Sequence, residues 1–439
     1  RIRRSYLLPG DALTVKIRFV TLGCKLNFAE SSALGKELLL RGHQRATLNE
    51  VPDVCVVNTC SVTDAADHKD RQAINQLHRK YPNATIVVTG CYAQLQPEQI
   101  SQIEGVDYVL GQNEKYDIPQ LIEEIEKHAC LTAPQETHTK NKIRVAAIRE
   151  VDDFHGVHSA DDRTRCFIKV QDGCNYFCTY CTIPYARGKS RNPKIAEVVI
   201  DAQTALNQGA KELIITGVNI GDFGRSTGEQ FIDLLRAFDQ LDGDYRVRIS
   251  SCEPNLLTDE IIDFVANSKH FAPHFHIPLQ SGSNEVLAIM KRRYTRELFA
   301  ERVQHIRKVM PHAFIGVDCM VGVRGETEAC WEDYLTFIQG LDVSQLHVFT
   351  YSERANTRML ELDLYVVPKA ERQRRSKILH AVSEEKTSAF YAQHAGRTAV
   401  VLWESKKEGD QMSGFTDNYI KVYGPYKKEK INTFEEIVL

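Results

Sequence analysis

Gly173-Cys174-Asn175-Tyr176-Phe177-Cys178-Thr179-Tyr180-Cys181 sets three cysteines three and then two residues apart, directly after the apolar run 167–170. A short β-branched and aromatic run of this kind reads as a strand, so the cysteines fall in a loop at its carboxyl end. A compact loop can turn three thiolates toward one centre, and iron–sulfur clusters are held by cysteine thiolates at such short intervals. Three ligands leave one iron of a four-iron cluster open. The competing reading is a structural zinc site. Such a site closes on four ligands, and no fourth Cys or His sits at conventional spacing beyond Cys181.

Outward from this loop the chain alternates strand-like and helical stretches. Apolar runs recur at 213–216, 246–250, 274–277, 315–321 and 346–350, with helical patterns between them, including 195–208 and 296–309. With the run 167–170 they make six strands, and right-handed crossovers predict a central partial (β/α)6 barrel over residues 166–394. Upstream, runs at 17–22, 54–58, 85–89 and 108–110 alternate with helical or polar segments, among them 30–40 and 118–127. That alternation predicts an N-terminal open parallel α/β sheet over residues 16–129. Periodicity fades over residues 130–165, read as a connecting region with one strand at 144–148. After a charged, helix-prone stretch at 369–394, runs at 397–403 and 418–423 are bracketed by Gly396, Gly414 and Gly424. They predict a small antiparallel β module over residues 395–439. The fold class is therefore α/β and multidomain.

A second set of cysteines lies in the N-terminal segment. Cys24 sits in Gly23-Cys24-Lys25-Leu26-Asn27, Cys60 in Thr59-Cys60-Ser61, and Cys91 in Gly90-Cys91-Tyr92, each just past a predicted strand. Loops outside the carboxyl ends of an open parallel sheet converge on one crevice, where three distant cysteines could meet as a second three-thiolate site. The bland alternative is that each is a small buried hydrophobe. That alternative is the reading for Cys55, Cys166, Cys252 and Cys319, while Cys130 and Cys330 carry no assignment.

Composition bounds the rest. A chain of 439 residues, 43% hydrophobic and 26% charged, is an ordinary globular protein of about three domains. No apolar run reaches the roughly 20 residues that span a bilayer, and no signal sequence is recognised, so the expectation is a cytoplasmic protein without a membrane partner. The stretch before about Thr14 carries no weight. A formal charge of −3 makes no global case for nucleic acid, so any RNA site must be local. Twelve cysteines without a secretion signal point to metal or redox chemistry rather than to a disulfide framework.

The motif at Cys174, Cys178 and Cys181 resembles that of the radical S-adenosylmethionine superfamily, Cys-x3-Cys-x-aromatic-Cys, with Tyr180 as the aromatic residue. The resemblance implies a 4Fe-4S cluster whose open iron is chelated by S-adenosylmethionine, giving on reduction methionine and a 5′-deoxyadenosyl radical. The contexts of Cys24, Cys60 and Cys91 resemble the N-terminal domain of the methylthiotransferases, where such cysteines hold an auxiliary 4Fe-4S cluster. Gly-Cys-Lys-Leu-Asn around Cys24 is most similar to the MtaB type, against Gly-Cys-Gln-Met-Asn in the MiaB type and Gly-Cys-Pro-Lys-Asn in the RimO type. The MtaB resemblance implies methylthiolation of C2 of N6-threonylcarbamoyladenosine at position 37 of transfer RNA. One cofactor molecule would methylate a sulfur on the auxiliary cluster, and a second would supply the radical. Implied partners are the tRNA anticodon stem-loop, an external electron donor and a sulfur source, with the chain a monomer. A MiaB-like tRNA enzyme, a RimO-like ribosomal-protein enzyme, and a noncatalytic RNA-binding protein closed by zinc remain as alternatives.

The same resemblance marks further residues. Thr216-Gly217-Val218-Asn219 is similar to the segment that approaches the cofactor's amino-acid end, with Gly217 allowing close backbone approach. Glu253, in Ser250-Ser251-Cys252-Glu253-Pro254, matches a residue that hydrogen-bonds the cofactor ribose. Unaided, Gly217 reads as a turn and Glu253 as a solvated loop residue. Arg187 and Arg191, soon after Cys181, are candidate cofactor or RNA contacts, since Arg clamps carboxylate or phosphate bidentately. His276 falls in a family-like loop and reads equally as a satisfied barrel histidine. One departure stands out: the family's Gly-Phe-Pro-Gly-Glu is Gly322-Val323-Arg324-Gly325-Glu326 here, which removes the fixed φ of a proline. Residues 414–422 resemble the TRAM domain, a small RNA-binding β barrel. There Lys406, Lys407, Lys421, Lys427, Lys428 and Lys430 would meet phosphates, and Tyr419 or Tyr423 would stack on bases. The basic run 369–377 reads as a solvated helix face.

Overall fold

The computed structural model describes residues 14–47, 49–131, 143–159 and 164–439, apart from the side chains of 128–131. Much of the predicted connecting region, and the side chain of Cys130, therefore lie outside the described residues. The chain forms two compact units. The first runs to Asp153 and also takes in Thr182–Lys189; the second comprises Phe154–Cys181 and Ser190–Leu439.

The first unit is built on six strands: β1 (Lys16–Thr21), β2 (Gln44–Arg45), β3 (Val54–Thr59), β4 (Thr85–Gly90), β5 (Val106–Leu110) and β6 (Ile143–Arg144). Their order is β2-β1-β3-β4-β5-β6, and every pair is parallel. β3 is buried at all its positions, as a central parallel strand covered on both faces must be. Alternate residues feed opposite cores: Cys55 and Val57 join Ile74 and Val88 on one face, while Val54 and Val56 join Leu34 and Leu121 on the other. The order turns between β1 and β3, and at such a switch point the crossovers leave to opposite sides and open a crevice at the strands' carboxyl ends.

Two sequence expectations need correction here. The helix after β1, α1, spans Lys25–Leu40 rather than starting near residue 30. Its first turns bury the polar side chains of Asn27 and Glu30, which hides the apolar period that would have announced it. The strand expected at 144–148 is only Ile143–Arg144, because its partner β5 ends at Leu110; Ile148 opens a turn of 3-10 helix at Ile148–Glu150.

The second unit holds six further parallel strands: β7 (Arg165–Lys169), β8 (Glu212–Thr216), β9 (Arg246–Ile249), β10 (His274–Gln280), β11 (Phe314–Val321) and β12 (Gln345–Thr350). They form two three-stranded sheets, β7-β8-β9 and β10-β11-β12. Single parallel bridges at Val247–Phe271 and Ser251–His276 link the β9 and β10 edges. Ile168, Ile215, Val247, Ile277, Val317 and Leu346 share one core beneath the covering helices. The long helix Lys369–His394 has the expected bounds. Its basic run is not wholly solvated, however: Arg375 is 1% exposed and pairs with Glu326 at 2.6 Å and Glu371 at 2.8 Å.

The chain ends in a four-stranded antiparallel sheet of β13 (Thr398–Glu408), β14 (Gln411–Thr416), β15 (Lys421–Pro425) and β16 (Phe434–Val438), ordered β15-β14-β13-β16. β13 bends at a register shift between Trp403 and Lys407. Gly414 and Gly424, expected to bracket strands, lie inside β14 and β15. A Cβ on Gly414 would come 2.5 Å from Val401 Cγ1 and one on Gly424 2.8 Å from the Trp403 ring, so these glycines make room for close packing against β13 rather than for turns. The sheet is fastened to β8 and β9 by a buried ion cluster. Arg246 and Arg248, two apart on one face of β9, both pair with Glu212. They then donate to the carbonyls of Phe415 at 3.0 Å and Asp417 at 2.9 Å. Despite complete burial, the two guanidinium groups hold the Glu212 carboxyl at about 2. Among the described residues no helix is long and apolar enough to cross a membrane.

Candidate functional site: two cysteine trios

The loop after β7 is held at both ends by hydrogen bonds. Gln171, fully buried, donates to the carbonyls of Asp172 and Gly173 at 2.9 and 2.7 Å and accepts from the amides of Val218 and Asn219 at 3.0 and 2.8 Å. One side chain thus pins the cysteine loop to the loop after β8. Thr179 ties the loop's far end through its amide to the Met290 carbonyl at 3.1 Å and its hydroxyl to the Ile289 carbonyl at 2.9 Å. Between these anchors Phe177 adopts φ 50, a left-handed backbone uncommon for an aromatic residue.

Around the thiols, the Tyr176 amide points at Cys174 Sγ at 3.4 Å, and the Cys181 amide donates to the Cys178 carbonyl at 3.0 Å. Arg292 donates to Cys178 Sγ at 3.1 Å and to the Tyr180 hydroxyl at 3.4 Å, and its other terminal nitrogen pairs with Glu253. Burial pushes the Cys174 thiol up to about 11; burial also raises Cys178, and Arg292 opposes the rise. Arg292 escapes a reading of the sequence: it lies 111 residues beyond Cys181 and follows no motif.

Gly217 packs so tightly that a Cβ would meet the Gln171 carbonyl at 2.9 Å. Asn219 is 3% exposed, and its side-chain amide lies by the Tyr176 hydroxyl with hydrogen-bonding capacity to spare. A buried amide left this way wants a polar ligand, and the amino-acid end of S-adenosylmethionine offers both donors and acceptors. Arg191 is paired with Asp172 at 3.3 Å. His276 bonds Asp318 at 2.7 Å and lies against the His347 ring. In the loop that lacks the family proline, Glu326 accepts from the Gly322 amide at 2.9 Å while Arg324 pairs with Glu353 at 2.8 Å, so side chains brace what a ring would have stiffened.

The first unit gathers its own trio. Cys24, Cys60 and Cys91 follow β1, β3 and β4, so the first two flank the switch point. A Cβ on Gly23 would fall 2.6 Å from Cys60 Cβ, which brings the β1 loop directly onto the β3 loop. Asn27 locks these loops together, donating to the carbonyls of Leu22 at 2.8 Å and Thr59 at 2.9 Å. Gly90, at φ 100, delivers Cys91 into the same place. Burial pushes the Cys60 thiol up to about 12, with the fields of Cys91 and Cys24 adding to the rise, and burial likewise raises Cys91. Gln112 donates to Cys91 Sγ at 3.3 Å.

Beneath this trio lies a set of buried charges. Glu30, on α1, receives Lys115 at 2.6 Å and Arg187 at 3.1 Å, with all three side chains at most 2% exposed. Arg187 also donates to Asn27 Oδ1 at 2.7 Å. Both of these bonds tie Arg187 to α1, within the first unit. Asp70 receives the Cys60 amide at 3.1 Å, and burial raises its carboxyl to about 8.

Among the described residues no three His, Cys, Asp or Glu side chains close on one metal ion. Thiolates that each bind a different iron of a cluster must stand farther apart than ligands shared by a single ion, and an all-sulfur donor set suits such a cluster. Cys55, Cys166, Cys252, Cys319 and Cys330 are buried. On the C-terminal sheet Tyr419 is packed under Arg248, His274 and Phe314 and cannot present its face to a base, whereas Tyr423 is 53% exposed beside Lys421.

Residues 16–111 match the Uncharacterized protein family UPF0004, and residues 168–338 match the Radical SAM superfamily. The threonylcarbamoyladenosine tRNA methylthiotransferase MtaB of Bacillus subtilis is 36% identical over 412 residues, covering 92% of this chain and 89% of that one. A tRNA-2-methylthio-N(6)-dimethylallyladenosine synthase of Fusobacterium nucleatum is 31% identical over 410 residues, covering 91% of each. Among solved structures, the radical S-adenosylmethionine methyltransferase TsrM of Kitasatospora setae, with cobalamin and a 4Fe-4S cluster bound, superposes with a TM-score of 0.58. It is 17% identical and covers 79% of this chain and 77% of its own, a likeness of fold.

Proposed function

Because this chain belongs to the MtaB type of the radical S-adenosylmethionine methylthiotransferases, we propose that it adds a methylthio group to C2 of N6-threonylcarbamoyladenosine at position 37 of transfer RNA. The observation that carries this reading is the presence of two separate cysteine trios, each at the carboxyl ends of parallel strands, in a chain similar along nine-tenths of its length to an enzyme so named. Two 4Fe-4S clusters and S-adenosylmethionine, when bound, supply the radical chemistry and the methyl group.

The residues then divide the work. Cys174, Cys178 and Cys181 would hold one cluster, with Tyr180 in the same loop. Gly217 and Asn219 would receive the cofactor's amino-acid end, and Glu253 would serve its ribose. Cys24, Cys60 and Cys91 hold the auxiliary cluster. Arg292 neutralises Glu253 and steadies Cys178. On this reading residues 16–129 are the methylthiotransferase domain, 130–165 a connection, 166–394 a partial (β/α)6 radical barrel, and 395–439 a TRAM-like RNA-binding module. Lys421, which lies over the Tyr423 ring at 4.7 Å, would meet a phosphate, and the exposed Tyr423 would offer a base its ring. An electron donor and a sulfur source complete the reaction from outside.

Nucleoside mass spectrometry of tRNA from cells lacking and then regaining the gene tests the reading. The 2-methylthio derivative of threonylcarbamoyladenosine should vanish and return. Loss of the isopentenylated product alone would transfer the chain to the MiaB-like reaction. In vitro, Cys178→Ala should abolish 5′-deoxyadenosine formation, and unchanged formation would remove the role given to that thiol.

A further inference from the structure

A buried carboxylate with two buried cations upon it is costly to desolvate, so stability alone is a weak reason for its presence. Glu30, Lys115 and Arg187 come from three separate stretches of the first unit, α1, the segment after β5 and the helix Ile183–Arg187, and none of the three side chains is more than 2% exposed. They reach the cysteine trio by bonded steps. Arg187 holds Asn27 Oδ1 at 2.7 Å, and the same Asn27 spans the loops that carry Cys24 and Cys60 while its Oδ1 lies 3.7 Å from Cys24 Sγ. The charges of Arg187, Lys115 and Glu30 all act on Cys91.

We infer that Arg187 and Lys115, seated on Glu30, are positioning residues that set the reduction potential of the cluster proposed at Cys24, Cys60 and Cys91. The inference rests on the functional reading above. A cluster held by thiolates gains negative charge on reduction, and its potential follows the charges and hydrogen bonds around it. A fixed cation close by favours the reduced state, and a fixed carboxylate opposes it. Water cannot screen either one, since all three groups are sealed from solvent. Arg187 adds a mechanical part, because its guanidinium fork orients Asn27 and so the two loops that must present their sulfurs together.

The test uses the full-length chain with Cys174, Cys178 and Cys181 changed to Ala, reconstituted anaerobically so that one cluster remains. Iron and sulfide are counted, and the midpoint potential is read by titration followed in the EPR spectrum. Lys115→Met and Arg187→Met should each lower the midpoint, Glu30→Gln should raise it, and Arg187→Lys should return it toward the parent value. A merely structural role would move all these variants in one direction, or change iron content without changing the potential. Either result, or a potential indifferent to all four substitutions, overturns the inference. A parent that takes up no cluster overturns the auxiliary-cluster reading itself, which keeps the two failures distinct.

Discussion

Arg292 Nη1 lies 3.1 Å from Cys178 Sγ while the opposite nitrogen of the same guanidinium pairs with Glu253, so one nearly buried cation joins the cysteine loop to the loop after β9. Groups placed behind metal ligands in this way tune and orient them. Arg292→Met should leave iron content intact and slow 5′-deoxyadenosine formation by about 10- to 100-fold. Single-turnover assays at saturating cofactor would measure it, and an unchanged rate would dissociate Arg292 from the site.

Cluster loading should depend on pH with a defined sign. The Cys60 and Cys174 thiols stand near 12 and 11, both raised first by burial. Each must give up its proton to bind iron, so binding releases protons and is favoured as pH rises. Initial rates of iron uptake should climb between about pH 7 and about pH 9. Rates flat over that range would mean that deprotonation is not what limits loading.

The C-terminal sheet should come loose when its ion cluster is cut. Arg248→Met leaves Glu212 with one of its two guanidinium partners and removes the bond to the Asp417 carbonyl; breaking a buried pair costs about 3–5 kcal/mol. Protease cleavage within residues 395–439 should accelerate while the rest of the chain stays resistant. Acid should mimic the substitution. Glu212 is held at about 2 against an ordinary 4.5, so its contribution is complete above about 4.5 and fades as pH falls toward 2. Urea midpoints that do not drop more steeply over that window than those of Glu212→Gln would contradict this.

Gly90→Ala should destabilise the first unit. The residue has φ 100, and a Cβ there would lie 2.4 Å from the Thr59 carbonyl oxygen. Strain of this kind costs about 1–3 kcal/mol, measurable as a lowered urea midpoint, and it would also displace Cys91.

Much of the architecture was legible in the chain itself. Largely apolar, β-branched runs such as 54–58 announce parallel strands because a strand covered on both faces is apolar along most of its length, a local requirement. Cys174, Cys178 and Cys181 were legible for the same reason, their spacing being all that one loop needs. The convergence of Cys24, Cys60 and Cys91 needed more, since it depends on the strand order β2-β1-β3-β4, which alternation alone does not specify. Glycines misled where tertiary contact overrode local habit: Gly414 and Gly424 look like turn residues and serve instead as clearance for Val401 and Trp403.

By itself, then, the sequence determined the strand and helix periods, the thiol spacing of the loop after β7 and the chain's kinship, because each is written in residues near one another along the chain or repeated at a fixed period. Only the tertiary structure decided that Arg292 would meet Cys178, that Lys115 and Arg187 would share Glu30, and that Tyr419 would pack beneath Arg248 while Tyr423 stays open. Those pairings join positions 85 to 171 residues apart, and a charge leaves no periodic trace of a partner that far away.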